Sequence, residues 1–294
     1  MDHTVILPPE AQLDPLLRAY DRAVAAKRRH FILGLAAMAI AFALACIGAE
    51  VDPWLFWNKL GNFTSYFDRL AHLDTGAIVL TDPADWFWGL RRWTRLLGET
   101  LLMAYVGTLT GAVFAFCGGF LCSQNLVSST LLRIVIRRSL EICRTVPDLV
   151  FALIFVAAFG LGALPGVLAI AIHTTGALGK LFSEVVENID MKPVEGIAAS
   201  GGSWISQIRF GVVPQVLSNF TSYAVLRFEI NVRGAAVLGF VGAGGIGEEL
   251  IVAIRKFFYS DVSAILLMII LCVVIIDTLA EKLRHRLLSL DERS

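Results

Sequence analysis

The chain has 294 residues, 56% hydrophobic and 17% charged, with a mean hydropathy of +0.71. That is too apolar for an ordinary soluble domain. Formal net charge is zero, so nothing suggests a nucleic-acid partner. The five cysteines (Cys46, Cys117, Cys122, Cys143, Cys272) contain no CxxC pair, and they read as buried thiols or packing residues, not as a disulfide frame or zinc site.

Residues 1–30 are polar and mixed in charge, and Asp14 to Arg29 suits an amphipathic helix ending in Lys27, Arg28 and Arg29. Phe31 to Ala49 carries no charge over 19 residues and reads as the first membrane helix. A 30-residue leader containing acids is too long for the n-region of a signal peptide. Residues 50–95 form a polar, aromatic connection with Trp54, Phe56, Trp57, Trp86, Phe87, Trp88 and Trp93, accompanied by Arg91, Arg92 and Arg95. Two readings stand: a helix lying in the membrane interface, or aromatics packing a small extramembrane cap. Thr100 to Leu132 is uncharged for 33 residues and places a second membrane helix at about Leu96 to Leu121. Gly107, Gly111, Ala115 and Gly119 give it small-xxx-small spacing for close helix contact. Arg133, Arg137, Arg138 and Arg144 make a basic connection. Leu149 to Ile172 is uncharged but broken by Gly160, Gly162, Pro165 and Gly166, so it reads as parts of two helices, Val146–Phe159 and Leu164–Val185. Val216–Val241 and Val262–Leu279 are the fifth and sixth membrane helices, and residues 287–294 are a tail. With both termini cytoplasmic, fifteen basic residues lie inside and seven outside, which fits the positive-inside rule. No strong internal repeat is visible, which counts against transporter folds built from inverted halves.

The stretch Lys192–Gln215, KPVEGIAASGGSWISQIRFGVVPQ, is the longest piece of the second half that is neither strongly apolar nor acidic. Pro193 suits a helix start and Glu195 the first turn, where its charge meets the positive end of the dipole. Gly201 and Gly202 stop the helix, Ser203 caps a second one, and Trp204, Ile205, Ile208 and Val212 share a face of it. Pro214 marks the next boundary. This stretch resembles the cytoplasmic loop with the "EAA" pattern in ABC importer permeases. Glu195, Gly201 and Pro214 match the register of that pattern; Ala198 and Ala199 are displaced from it, and Gly211 stands where the family has an aliphatic residue. The resemblance implies a coupling helix that docks on an ATPase subunit, with Glu195, Ala198, Ala199, Gly201, Gly202 and Pro214 as the coupling positions. An ordinary amphipathic loop is the plainer alternative.

The fifth helix carries LRFEINVRGAA at 226–236. Ionisable groups at membrane depth are expensive and face a bundle interior or a wet pathway. Glu229 and Arg233 are spaced to pair along one face; Arg227 and Asn231 lie on another. Arg227 or Arg233 is a candidate contact for an anionic substrate, and Glu229–Arg233 a candidate structural ion pair. Asp277 is a possible partner for either arginine. His173 and Thr174 in the fourth helix are further pathway candidates, against the plainer reading of packing residues. VGAGGIGEE at 241–249 does not follow a strand, so it is no dinucleotide fingerprint. It reads as a tight turn of close backbone approach, with a backbone anion nest as a lesser reading. TGALGK at 175–180 lacks the Ser or Thr that must follow Lys in a phosphate loop.

From about Glu99 to Arg286 the chain resembles the permease subunit of phosphonate ABC importers. The carrying stretches are RTVPDLVFALIFVAAFGLG (144–162), GVLAIAIHTTGALGKLFSE (166–184), VEGIAASGGSWISQIRFGVVPQVL (194–217) and RFEINVRGAAVLGFVGAGGIGEEL (227–250). The VGAGGIG turn is shared with methionine-type permeases and does not settle substrate. The resemblance implies an all-α membrane protein of the type I importer fold, with residues 96–286 as its transmembrane domain. It implies a multi-pass protein of the bacterial inner membrane that does no chemistry and binds no cofactor. ATP and Mg sit on the partner. The partners implied are a second copy of the chain, two cytoplasmic ATP-binding subunits, a periplasmic phosphonate-binding protein and membrane lipid. The expected activity is alternating-access import of phosphonates, with phosphate esters, phosphite or phosphate beside them; methionine or another oxyanion is the rival substrate. Two rivals come from other classes. An ion-coupled secondary transporter would use Glu229, Arg233 and Asp277, and gradient-driven uptake without ATP would reveal it. An intramembrane enzyme is disfavoured because HExxH and GxSxG are absent.

Overall fold

The computed structural model describes residues 10–73 and 75–291; the first nine residues of the expected N-terminal segment and the last three of the expected tail lie outside the described residues. Among the described residues the regular structure is helical, apart from one isolated bridge between His72 and Ile78. The chain divides into two compact units, Met1–Tyr66 and Phe67–Ser294.

The first unit is built on α1 (Glu10–Gly48), which merges the expected amphipathic helix and the first membrane helix into one rod of 39 residues. No glycine or proline lies between Asp21 and Ile32, so nothing stops the helix there. Its part from Leu17 to Gly48 is long and apolar enough to cross a membrane and buries nothing within the fold. α2 (Pro53–Leu70) begins in this unit and ends in the second. Asp52 caps it, its carboxylate accepting from the amides of Trp54 (2.8 Å) and Leu55 (3.1 Å). Trp54, Phe56 and Trp57 stay exposed.

The second unit contains α3 (Pro83–Trp86), α4 (Leu90–Cys122), α5 (Thr130–Thr145), α6 (Asp148–Phe159), α7 (Ala163–Glu187), α8 (Lys192–Ala199), α9 (Trp204–Ser206), α10 (Val213–Leu238), α11 (Ile246–Arg255) and α12 (Tyr259–Asp291). A π-helical turn, Gln207–Val212, joins α9 to α10. α4, α7 and α12 pass as spans by length and composition, as does part of α1. Two further spans exist only if α5 with α6, bent by 87°, and the Trp204–Val241 rod with α11, bent by 48°, each count as one.

The basic connection around Arg133 to Arg144 is therefore a helix. Ser129 caps it, accepting from Leu132 N. Its inward face carries Arg133, Ile136, Arg137 and Leu140, and the two arginines donate to the carbonyls of Val127 (3.4 Å) and Cys122 (3.3 Å). Pro147 forces Val146 extended and produces the sharp bend into α6. α6 has only 12 residues, about 18 Å, too short to cross a hydrocarbon core of about 30 Å without α5. No separate interfacial helix forms around Trp86 to Trp93. The chain turns through α3 and enters α4 at Leu90. Trp86 and Trp93 are buried with Ile246, Leu250, Val262 and Ile265, so for these two rings the cap is the arrangement found. All five cysteines are free; Cys122 is buried, but Cys117 is exposed and does not pack.

Three apolar clusters are stacked along α4. Trp93 enters the first, Ala104 a middle cluster with Ile170, Val232 and Leu238, and Ala115 and Phe120 a third with Phe182, Val194, Val212 and Phe220. The expected small-residue stripe is the seam between α4 and α7. A Cβ on Gly107 would meet Ile170 Cγ2 at 2.7 Å, one on Gly111 the Ala171 carbonyl at 2.7 Å, and one on Gly119 Phe182 Cβ at 2.8 Å. Only glycine lets the backbones approach this closely.

Candidate functional site

The first candidate is α8 and its glycine joint. Pro193 and Glu195 lie in the first turn, as the sequence implies. Val194 (3% exposed) and the half-buried Ile197 face inward; Lys192, Glu195, Gly196, Ala198 and Ala199 face out. Gly211 explains how α8 sits so close to the π-helical turn: a Cβ there would lie 3.1 Å from Val194 Cα. An aliphatic residue at that position would push α8 away. Gly201 adopts φ +82° and the amide of Gly202 donates to Ile197 O (2.9 Å), which closes the helix. Ser203 caps α9, accepting from Ser206 N. The π-helical turn changes the phase, so the expected shared face splits. Val212 is fully buried and Ile208 half-buried, while Ile205 points outward at 70% exposure. Pro214 falls in the first turn of α10.

Gln215 holds the base of α8, a role that no sequence pattern signals. Its Nε2 donates to Asp190 O (3.1 Å) and Gly211 O (2.6 Å), and its Oε1 accepts from Asp190 N (3.1 Å). Around it, Arg137 donates to Glu187 (2.8 Å), Gln124 N to the same carboxylate (3.0 Å), and Trp204 Nε1 to Leu126 O (3.1 Å). The exposed surface of α8 rests on a hydrogen-bonded base.

The second candidate lies inside the span of α10. Arg227 Nη2 meets His173 Nδ1, and the imidazole also hydrogen-bonds the backbone of Arg144. Arg227 Nε is buried without a partner. Asp148, at the start of α6, is the carboxylate that acts on both Arg227 and His173. Thr174 is turned the other way, fully buried, and accepts at 2.8 Å from Asn231 Nδ2, which also donates to Thr108 (2.8 Å). That triad joins α4, α7 and α10. On a different side of α10, Arg233 donates to Glu229 (2.5 Å) and lies 3.9 Å from Asp277. The structure therefore divides the four pathway candidates: Arg227 and His173 meet, Thr174 is tied into the core, and Arg233 is held by two acids. Asp277 is an ion-pair neighbour of Arg233, while Arg227 has His173. Asp148 and Thr108 were missed; the acid opening an apolar run after Pro147 was the available signal for the first.

The glycine run forms a tight turn. Gly242, Gly244 and Gly245 have φ of +84°, +80° and +74°, and a Cβ on Gly247 would collide with Ala236 O. The amides of Gly242, Ala243 and Ile246 donate to Gly239 O, Leu238 O and Thr100 Oγ1, so they are unavailable to an anion nest.

The class of protein follows from comparison of this helical bundle with known families. Residues 107–289 match the family described as "Binding-protein-dependent transport system inner membrane component", and the chain belongs to that family. It is 42% identical over 202 residues to the phosphite transport system permease PtxC of Stutzerimonas stutzeri, covering 69% of this chain and 73% of that one. It is 39% identical over 209 residues to the phosphate-import permease PhnE of Mycolicibacterium smegmatis, covering 71% of this chain but 38% of that longer protein. It is 50% identical over 117 residues to the putative cryptic phosphonate permease PhnE2 of Escherichia coli, covering 40% of this chain and 96% of that one. The fold is that of the MetNI methionine ABC transporter structure, with TM-score 0.59 at 17% identity, covering 70% of this chain and 98% of that one. The chain is thus a multi-pass inner-membrane permease of the type I importer fold. Membership implies an ATPase partner and a binding protein that delivers the solute.

Proposed function

We propose that two copies of this chain form the membrane pathway for a phosphonate or a related oxyanion such as a phosphate ester, phosphite or phosphate. A receptor protein specific for phosphonates delivers the solute, and two cytoplasmic ATP-binding subunits hold the ATP and Mg and drive alternating access. The chain itself binds no cofactor and carries out no hydrolysis. Both termini lie in the cytoplasm, and lipid surrounds the bundle. The observation that carries the substrate class is the 42% identity with a phosphite permease. Arg227 adds a physical reason: a half-buried guanidinium inside the bundle keeps an Nε–H with no partner in the fold, a charged donor suited to an oxyanion. Glu195, Ala198, Ala199, Gly201, Gly202 and Pro214 supply or frame the surface that the ATPase grips. Glu229–Arg233 is a structural ion pair joined to α12 through Asp277.

The test is uptake into proteoliposomes containing the permease, its ATPase and its receptor. ATP-dependent accumulation of a labelled phosphonate or phosphite, unaffected by methionine, is the expected result. Accumulation of methionine, or uptake driven by a proton or sodium gradient without ATP, refutes the proposal.

A further inference from the structure

We propose that the N-terminal end of α4 binds the phosphate of an anionic phospholipid through Arg91 and Arg95, independently of the transported solute. α4 has 33 residues, about 50 Å, more than the hydrocarbon core of about 30 Å needs. Its uncharged part starts at Thr100, so Arg95 sits about 7 Å beyond that residue and Arg91 a further turn out. These are the depths of the headgroup layer.

Position on the helix sets these two cations apart. Arg91 and Arg95 are four residues apart on one exposed face, and that face continues along α4 past Gly98 and the half-buried Glu99 to Leu102, Val106, Leu109 and Val113, all four exposed. A stripe of exposed aliphatic side chains capped by guanidinium groups matches an acyl chain topped by a phosphate. Arg92, about 100° round the helix, is used inside the fold, donating to Glu249 at 2.7 Å. Among the described residues no ion pair engages Arg91 or Arg95; Glu99, one turn beyond Arg95, is not within ion-pairing distance of it. Beside them is an open depression of about 800 Å³, lined by Trp88, Gly89, Arg91, Arg92, Thr94 and Arg95. Trp88 is 63% exposed and fixed by its Nε1 donating to Asp261 (2.8 Å), which gives the site a rigid amphipathic wall at the interface. An acidic protein surface would satisfy the arginines but not the aliphatic stripe below them, so the lipid is the better fit.

The experiment uses the full chain purified from bilayers of phosphatidylcholine doped with phosphatidylglycerol, with retained lipid measured by native mass spectrometry. Wild type should retain phosphatidylglycerol in preference to phosphatidylcholine. R91Q/R95Q should weaken that retention about thirty-fold, from a contribution of one step per cation near a charged membrane surface. R91K/R95K, which keeps the charges, should retain it to within about threefold. K192Q/R209Q makes the same charge change elsewhere and should leave retention unchanged. If R91Q/R95Q proves unstable, R95Q alone should weaken retention about fivefold. Undiminished retention in the glutamine variants overturns the proposal. So does displacement of the lipid by millimolar inorganic phosphate, which would mean a site for the free anion. Loss of receptor docking in R91Q/R95Q with lipid retention intact would instead make this face a protein dock, and would equally overturn it.

Discussion

Gly196 and Gly201 make opposite demands on α8, and exchanging each for alanine should move the helix in opposite directions. Gly201 holds φ +82° and nothing lies within 4 Å of a Cβ placed on it, so the effect of G201A is purely conformational. Forcing an L-residue left-handed costs about 1–2 kcal/mol. Gly196 lies inside the helix with ordinary φ and equally open space, so G196A should gain about 1 kcal/mol from helix propensity. The amides that report on this are Ser200, Gly201 and Gly202, which donate to Gly196 O, Ala198 O and Ile197 O. Hydrogen exchange there should accelerate at least about fivefold in G201A, slow about fivefold in G196A, and return near wild type in the double variant. In the assembled importer, G201A should also lower transport per ATP hydrolysed. Unchanged exchange in G201A, or faster exchange in G196A, would refute the assignment of a helix closed by a left-handed glycine.

E195K should uncouple ATP hydrolysis from uptake, because it reverses an exposed charge on the proposed docking face and opposes the dipole of α8; normal uptake per ATP would count against that face. R227A should impair solute uptake far more than assembly, as seen by comparing transport with size-exclusion profiles; failure of the complex to form would make Arg227 structural. Asn231 and Thr108 should show a coupling of about 0.6 kcal/mol in a double-mutant cycle read by thermal unfolding in detergent, the usual scale for polar pairs inside membranes. G111V should abolish the folded bundle, since its Cβ alone would meet the Ala171 carbonyl at 2.7 Å; a stable, monodisperse G111V would disprove the seam.

Local chemistry made much of this fold legible. Proline at the start of α8, the left-handed Gly201, the Ser203 cap and the glycine stripe of α4 each follow from what one residue type alone permits. Less local features escaped. α5 looked like a charged loop because two of its arginines turn inward to carbonyls and a carboxylate, a partnership that no spacing reveals. The π-helical turn broke the regular 3.6-residue count, so Ile205 emerged on the wrong side. The polar residues of α10 could be divided between two faces by counting, but only packing showed that Arg227 meets α7 while Arg233 approaches α12. Trp86 and Trp93 carried an interfacial composition and were buried by α11 and α12, a tertiary decision.

The glycine seam between α4 and α7 constrains how such a machine can work. Two helices meshed backbone to backbone, with Ile170 and Phe182 seated in the notches left by Gly107 and Gly119, cannot slide without steric collision. They form the stator. Any rearrangement of the bundle has to leave that seam closed, whereas α10 and α12 are linked by the looser 3.9 Å approach of Arg233 to Asp277.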